Sequence, residues 1–449
     1  MLKPIPLLNL LDQAKETSIA SNPTNFKLSG VIITPESDIE VTKINGVLIT
    51  SDFYSGRSHS DNYFLDILIS PGIYQKYIAP FKDDLIIEYI ESFGIKRNLK
   101  RLRLVPLVET DPTVSGSSSI MSDLSALDNS NLVVVQFQAF DLGYEKIRNI
   151  NINTNYLAAK VEDAIHYTVS NEIKQLELNG VNALKGVDIE EPVDNVKIYR
   201  SMNIPANVML VDLANYLQKA DGFGVYTRGL GSYYKNNTWF VYPLCKEQRY
   251  GKVGWSLDIL KFPQDATPTI EQSYFVSNTG NHVTILTTGE AEHSDNSDID
   301  FQNYGQGKRL ISDDVVAGNA GIYKNNGRII KTRKDSVTEY KTNNRKSKVN
   351  RVVIDGKPTS NIYREISQSV FNAGDLLMID WHNSNPDLLY PGMPLRYYYM
   401  VGNILKMREG TLFSVNTNFQ SITNEFSPTF KKISKLMIFL NPLEDDIEE

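Results

Sequence analysis

At 449 residues the chain is too long for a single core, so two to four units are expected. Its 41% hydrophobic and 22% charged residues are those of a globular protein, and a net charge of −7 argues against a nucleic-acid binder. A single cysteine, Cys245, excludes an intramolecular disulfide framework.

Residues 1–11 carry one lysine and two prolines, with no small-residue cleavage pattern, and read as a poor secretory signal. No apolar run approaches the ~20 residues of a membrane span. The expectation is a chain made in a reducing cytoplasm, or assembled from there. The 24 tyrosines and 18 phenylalanines favour strands over helix bundles.

The first 150 residues read as short strands. Phe26 to Ile33 and Glu40 to Thr50 are β-type, split by Pro35-Glu36-Ser37-Asp38. Tyr63 to Ile69 is a strand closed by Ser70-Pro71-Gly72, and Leu85, Ile87 and Tyr89 alternate with Ile86, Glu88 and Ile90. Leu102 to Val108 and Leu132 to Phe140 are further strands, separated by a Ser-, Gly- and Asp-rich loop over 111–131. This spacing is that of a small barrel or sandwich.

The pattern then changes. Leu157, Val161, Ala164, Ile165 and Val169 fall on one helical face, which predicts a helix over about 155–175. A second helix is expected after Pro205, with Asn207 as its N-cap, Leu210, Leu213, Leu217 and Ala220 as its buried stripe, and Asp221-Gly222 as its stop. Gly224 to Arg228 and Thr238 to Pro243 are expected as strands across a turn near Asn236-Asn237. This is a compact α+β insert.

Strand signals return at Ile259 to Phe262, Glu271 to Val276 and His282 to Thr287. A polar, acidic stretch over 289–306 follows, then a short helix signal over 365–371 and a strand at Met378 to Trp381. The strongest stretch runs from Asp387 to Asn424. Pro391-Gly392 marks a turn, Leu395, Tyr397 and Tyr399 alternate with Arg396 and Tyr398, and Ile404 to Arg408 stays extended. Glu409-Gly410 is read as the next turn, with Thr411 to Thr417 leading away. Ile433 to Leu440 is the last apolar element before the acidic tail, 444–449. Ala79-Pro80-Phe81 before Asp84–Tyr89, and Pro391–Pro394 before Leu395–Tyr399, form a weak internal echo.

Catalytic constellations do not emerge. The five histidines, His59, His166, His282, His293 and His382, have no metal-ligand spacing. The run from His293 to Asp300 lacks the glycine and distal glutamate of a calcium loop. Gly222-Phe223-Gly224 is no phosphate loop, and Gly229-Leu230-Gly231-Ser232-Tyr233 has the wrong spacing for a nucleophile elbow. The expectation is no enzyme, no cofactor and no metal.

One charge feature stands out. Residues 324–351 hold ten basic residues against Asp335 and Glu339, giving +8 and leaving −15 for the rest of a chain at −7. A solvated loop is the plain reading of such a run. The functional one is an arm that docks on an acidic neighbour through Lys324, Arg328, Arg333, Lys334, Arg345, Lys346, Lys348 and Arg351.

The layout resembles the tail hub, or baseplate hub, proteins of bacteriophages. Asp52-Phe53-Tyr54-Ser55-Gly56-Arg57 before the strand at Tyr63 looks like the early turn of a first tube barrel. The stretch from Leu210 to Pro243, with Trp239-Phe240-Val241-Tyr242, looks like the hub's inserted domain. Thr284 to Glu290 and the Tyr390-Pro391-Gly392 hairpin look like pieces of its second half. The segments 324–351 and 111–131 have no counterpart in that pattern.

The resemblance implies a mainly β fold with two tail-tube-like β-barrels and an α+β insert: 1–150 the first barrel, 151–250 the insert, and 251–443 the second barrel with the basic insertion 324–351. It implies a homotrimeric ring in the virion, assembled in the host cytoplasm, with tail tube, spike and other baseplate proteins as partners. DNA would pass through its channel without sequence-specific binding. Two other classes fit the composition: a carbohydrate-binding or hydrolytic β protein, and another tail component such as a wedge or tube-terminator protein.

Overall fold

The computed structural model describes residues 5–18, 25–93, 96–107, 132–176, 185–193, 195–220, 223–246, 248–263, 272–288, 374–421 and 429–441, with Tyr363 and the backbone of short strands between 292 and 353. The chain is mainly β. Helix α1 (Ile5–Glu16) comes first, with Leu7 and Leu11 buried against Leu260, Phe262 and Phe275. The first strands are β1 (Phe26–Ile33), β2 (Asp38–Glu40), β3 (Lys43–Asp52), β4 (Asn62–Ile69), β5 (Ile86–Phe93), β6 (Lys96–Pro106) and β7 (Val133–Asp141). Their apolar residues recur every second position, so one face of each strand turns inward; β4 shows this throughout Asn62–Ile69.

Next come α2 (Leu142–Arg148), β8 (Asn151–Ala159), α3 (Val161–Gln175), β9 (Gly186–Ile189), β10 (Tyr199–Met209), α4 (Leu213–Lys219), β11 (Leu230–Lys235) and β12 (Thr238–Pro243). The remaining strands are β13 (Ser256–Lys261), β14 (Tyr274–Val276), β15 (His282–Thr287), β16 (Glu292–Asp295), β17 (Arg309–Asp313), β18 (Gly321–Tyr323), β19 (Ile329–Ile330), β20 (Val337–Lys341), β21 (Val352–Val353), β22 (Asp375–His382), β23 (Pro394–Val401), β24 (Ile404–Ser421) and β25 (Thr429–Leu440).

The pairings of the largest sheet form a closed circuit of eight strands. From β24 they run through β3, β4, β7, β6, β5 and β1 to β25, and β25 pairs back onto β24. Closure leaves this circuit few free edges. It is filled by side chains, among them Ile32, Leu65, Ile67, Ile87, Leu104 and Phe137, each fully buried. Burial of one such side chain contributes roughly 1.5–3 kcal/mol.

The other halves of β24 and β25 belong to a second run, β15-β13-β23-β24-β25-β22. Its ends meet through side chains. Thr287 Oγ1 donates to the Asp380 carbonyl (3.1 Å), Ser273 Oγ to that of Asn383 (3.0 Å), and Trp381 Nε1 to Ser273 Oγ (3.2 Å). Trp381, Phe413, Leu412, Ile438 and Phe439 fill this run. The short strands β17–β21 make a separate five-stranded sheet.

Between the two lies the α+β insert. It has a β8–β10 ribbon, a β11–β12–β9 sheet, and α3 and α4 packed on a core containing Ile165, Met202, Leu217 and Trp239. Asn236 and Asn237 at φ 50° and 64° make the two-residue turn of the β11–β12 hairpin, the left-handed pair that matches strand twist.

Four expectations need correction. The stretch 155–175 is not one helix: β8 occupies Asn151–Ala159 and α3 starts at Val161. Ile152, Thr154 and Tyr156 point inward while Leu157 is 72% exposed, so its helical spacing was coincidental. Asn207 caps nothing. It lies inside β10, and α4 begins at Leu213 after the turn Leu210–Asp212. Gly224 to Arg228 is not a strand; the partner of Thr238–Pro243 is Leu230–Lys235. Glu409-Gly410 is not a turn either. The hairpin turns at Gly402, φ 60°, and Asn403, and β24 runs unbroken through Gly410. Asp221-Gly222, the helix signal at 365–371, the loop 111–131 and the tail 444–449 lie outside the described residues.

Candidate functional site

The first circuit, the insert and the second run meet around one cleft of about 600 Å³. The circuit supplies Ser60 and Asp61 before β4 and residues Asn98 to Leu102 of β6. The insert supplies the β11–β12 hairpin from Tyr234 to Thr238, with Phe240 and Asp188. The second run adds Trp255, Asp387 and Tyr390. Among the bonds that hold the insert in place are Tyr234 N–H to the His59 carbonyl (2.7 Å), Tyr233 OH to Asp61 Oδ1 (2.9 Å) and Tyr242 OH to the Phe53 carbonyl (2.7 Å). Gly392, φ +64°, lets the loop pass over Tyr242; a Cβ there would sit 2.0 Å from its ring.

Four carboxylates line the cleft, and three already have donors. Asp61 accepts from Ser51 Oγ (2.7 Å) and Tyr233. Asp141 caps α2 by accepting from the Gly143 and Tyr144 N–H groups (2.7 and 3.2 Å). Burial raises its pKa, and those two N–H bonds counter only part of the rise. Asp387 accepts from Lys100 Nζ (2.7 Å) and lies 3.6 Å from Lys432 Nζ. Burial alone would raise its pKa, but the two ammoniums outweigh burial and hold it well below the usual carboxylate range. Asp188 is shifted upward, by burial first and by Glu190 second.

Among the cations, Lys100 is taken by Asp387 and Tyr63 OH (3.2 Å), and Arg101 by Glu88 (2.5 Å). Lys235 differs. It is 5% exposed, its Nζ makes no hydrogen bond among the described residues, and it lies 3.9 Å from Asp61 Oδ2 and 5.4 Å from the Phe53 ring centre. In the same cleft, Trp255 and Tyr390 stack at 4.6 Å, 14° from parallel.

A second cluster joins β13 to β15. Ser256 Oγ is 2.9 Å from His282 Nδ1, and His282 Nε2 is 3.4 Å from both Asp258 Oδ2 and Thr284 Oγ1. These residue types can make a nucleophile and its base. Here Ser256 donates its own N–H to the Asn281 carbonyl (3.0 Å), so that group cannot hold an oxyanion. The cluster as placed links two parallel strands.

All eight basic residues singled out in the sequence, Lys324, Arg328, Arg333, Lys334, Arg345, Lys346, Lys348 and Arg351, lie outside the described residues. Among the described residues no group of three or more His, Cys, Asp or Glu could hold a metal, and no helix is long and apolar enough to cross a membrane. Lys235 and Asp387 escaped sequence reasoning. Lys235 carries one local signal, its place directly before the Asn236-Asn237 turn; Asp387 carries only its place beside Pro386.

No protein-family model matches the chain, and no curated protein matches it. Among solved structures it is similar to the tail protein from Neisseria meningitidis MC58, at 10% identity and TM-score 0.47, over 92% of this chain and 96% of that one. It is also similar to the 43 kDa tail protein of prophage MuSo2 from Shewanella oneidensis, at 9% identity and TM-score 0.46, over 91% and 98%. The E. coli c3393 protein matches at 8% identity and TM-score 0.43, over 94% and 77%. That protein is a component of the type VI secretion system with structural similarity to the T4 bacteriophage tail proteins gp27 and gp5.

Proposed function

We propose that the chain is a structural tail protein, forming the central hub ring that adapts a hexameric tail tube to a trimeric spike. The observation that carries this reading is the fusion of two strand assemblies through β24 and β25. A chain with two similar tube-type blocks presents six when three copies close around an axis. The sequence resemblance at 52–57, 210–243 and 390–392 supports the same reading.

In this reading residues 1–150, completed by the ends of β24 and β25, form one tube-type barrel, and 251–443 the other. The insert 151–250 spans them, 324–351 is a basic arm, and 444–449 is an acidic tail. Both assemblies are filled by side chains, so the DNA channel runs between copies and not through either one. An acidic wall lets DNA pass without sticking. The role is non-enzymatic. The partners are tail tube, spike and other baseplate proteins, and the place is the virion.

Sedimentation and electron microscopy of the purified chain test this. The expected particle has three times the 50.7 kDa chain mass and a central hole. A monomer at high concentration that is also monomeric in the assembled particle overturns it.

A further inference from the structure

The cleft combines three features that point to one occupant. The first is an open strand edge. Strand β6 pairs with β5 from Lys96 to Arg103 but with β7 only from Leu102 to Pro106. The Leu104 N–H bond to the Leu85 carbonyl (3.0 Å) sets the alternation. Leu102, Lys100 and Asn98 therefore turn their backbone groups to β5, and Leu99 and Arg101 turn theirs outward. Chain turns into α2 at Leu142, so β7 leaves the sheet just before it would meet them. Among the described residues no backbone group covers that edge.

The second feature is Lys235, 5% exposed, lining the cleft with no hydrogen bond among the described residues and only a 3.9 Å pairing to Asp61. Asp61, Asp141 and Asp387 already have donors. Asp188, the fourth carboxylate, is exposed, so the buried charged group that lacks a hydrogen bond among the described residues is Lys235, and it matches a carboxylate. The third is the stacked Trp255–Tyr390 wall, which offers apolar surface in the same cleft.

We propose that this cleft docks an extended segment of another protein, added as a strand to the Leu99–Arg101 edge, with one Asp or Glu of the segment on Lys235. Strand addition supplies main-chain bonds, and the lysine and the aromatic pair supply selectivity. A nucleic acid would bring several phosphates against four aspartates, which disfavours it. The inference does not depend on the ring proposed above.

The test is a displayed library of random eight-residue peptides, selected on the full chain. Enriched peptides should share one acidic position within an alternating β-branched pattern. Binding of a synthesised winner should fall at least tenfold with its acid changed to the amide, and equally with Lys235→Met. Leu99→Pro should match that loss, because the N–H it removes faces away from β5 and the ladder survives. Cooperative thermal unfolding checks both variants, and Lys235→Gln and Arg101→Pro replace any that does not fold. No enrichment, enrichment without an acidic position, or winners indifferent to these substitutions overturns the proposal. So does self-association of the parent that both variants abolish, since the occupant is then a second copy.

Discussion

Lys432 Nζ lies 2.5 Å from Glu91 Oε2, and neither side chain reaches water, at 0% and 3% exposure. The pair joins β25 to β5 inside the first circuit. Tyr89 OH donates to the other Glu91 oxygen at 2.9 Å, and the Lys432 ammonium sits 4.2 Å from the Phe26 ring centre. Through Asp387 the same network reaches the second run, so the contact ties the two halves of the molecule.

Breaking this pair from one side strands a buried charge. Lys432→Met or Glu91→Leu alone should cost about 3–5 kcal/mol, whereas the double substitution should recover most of that loss. Urea denaturation of the four proteins measures the coupling. Single variants within about 1 kcal/mol of the parent would show that water enters the site.

Asp387 makes stability depend on acid. Its folded-state pKa is held below its unfolded value, because Lys100 and Lys432 outweigh the opposing effect of burial. The stabilisation is therefore complete above the ordinary carboxylate value of about 3.9 and is lost as pH falls below it. Thermal midpoints measured between pH 2 and 5 should drop more steeply for the parent than for Asp387→Asn. Parallel curves would remove Asp387 from the account.

Gly410→Ala should destabilise the chain by about 1–3 kcal/mol or more. A Cβ at Gly410 would stand 2.0 Å from the Phe439 carbonyl oxygen, a backbone atom that cannot step aside. Gly402→Ala meets open space but a φ of +60°, so its smaller cost of about 1 kcal/mol comes from backbone strain alone. Chemical denaturation of the two variants should rank them in that order.

Reversing four charges tests the arm. Arg333, Lys334, Arg345 and Lys346 changed to Glu should loosen assembly while leaving the unfolding midpoint unchanged. Each exposed pair contributes only ~0.2–1 kcal/mol, so the effect should be largest at low salt. Sedimentation that finds the variant assembling as tightly as the parent removes the arm from the interface.

Local periodicity was legible. Phe26–Ile33 is a strand as read, and Tyr63–Ile69 and Leu132–Phe140 are each displaced by one residue at most, because period-two burial is written in the residues themselves. What failed were signals with two physical meanings. Glu409-Gly410 reads as a turn, but Gly410 is there to let the Phe439 backbone approach. Asn207 reads as a cap, yet it sits in a strand, at the irregularity between Ile204 and Val208 where β10 pairs with β8. The junction cleft was illegible for another reason. Lys100, Lys235 and Asp387 lie far apart in sequence, and the pairing of β3 with β24 and β1 with β25, with the Tyr234–His59 contact of the insert, brings their elements together.

That pairing also sets an order of events during synthesis. The edges of β1 and β3 emerge early, yet the strands that cover them, β24 and β25, follow only after roughly 350 further residues. At about 5–20 residues per second the wait lasts roughly 20 to 80 seconds. Over that interval the amino-terminal strands need shelter from a chaperone or from their own insert. A chain cut short before residue 404 would carry those two edges permanently bare, an open template for pairing with other chains.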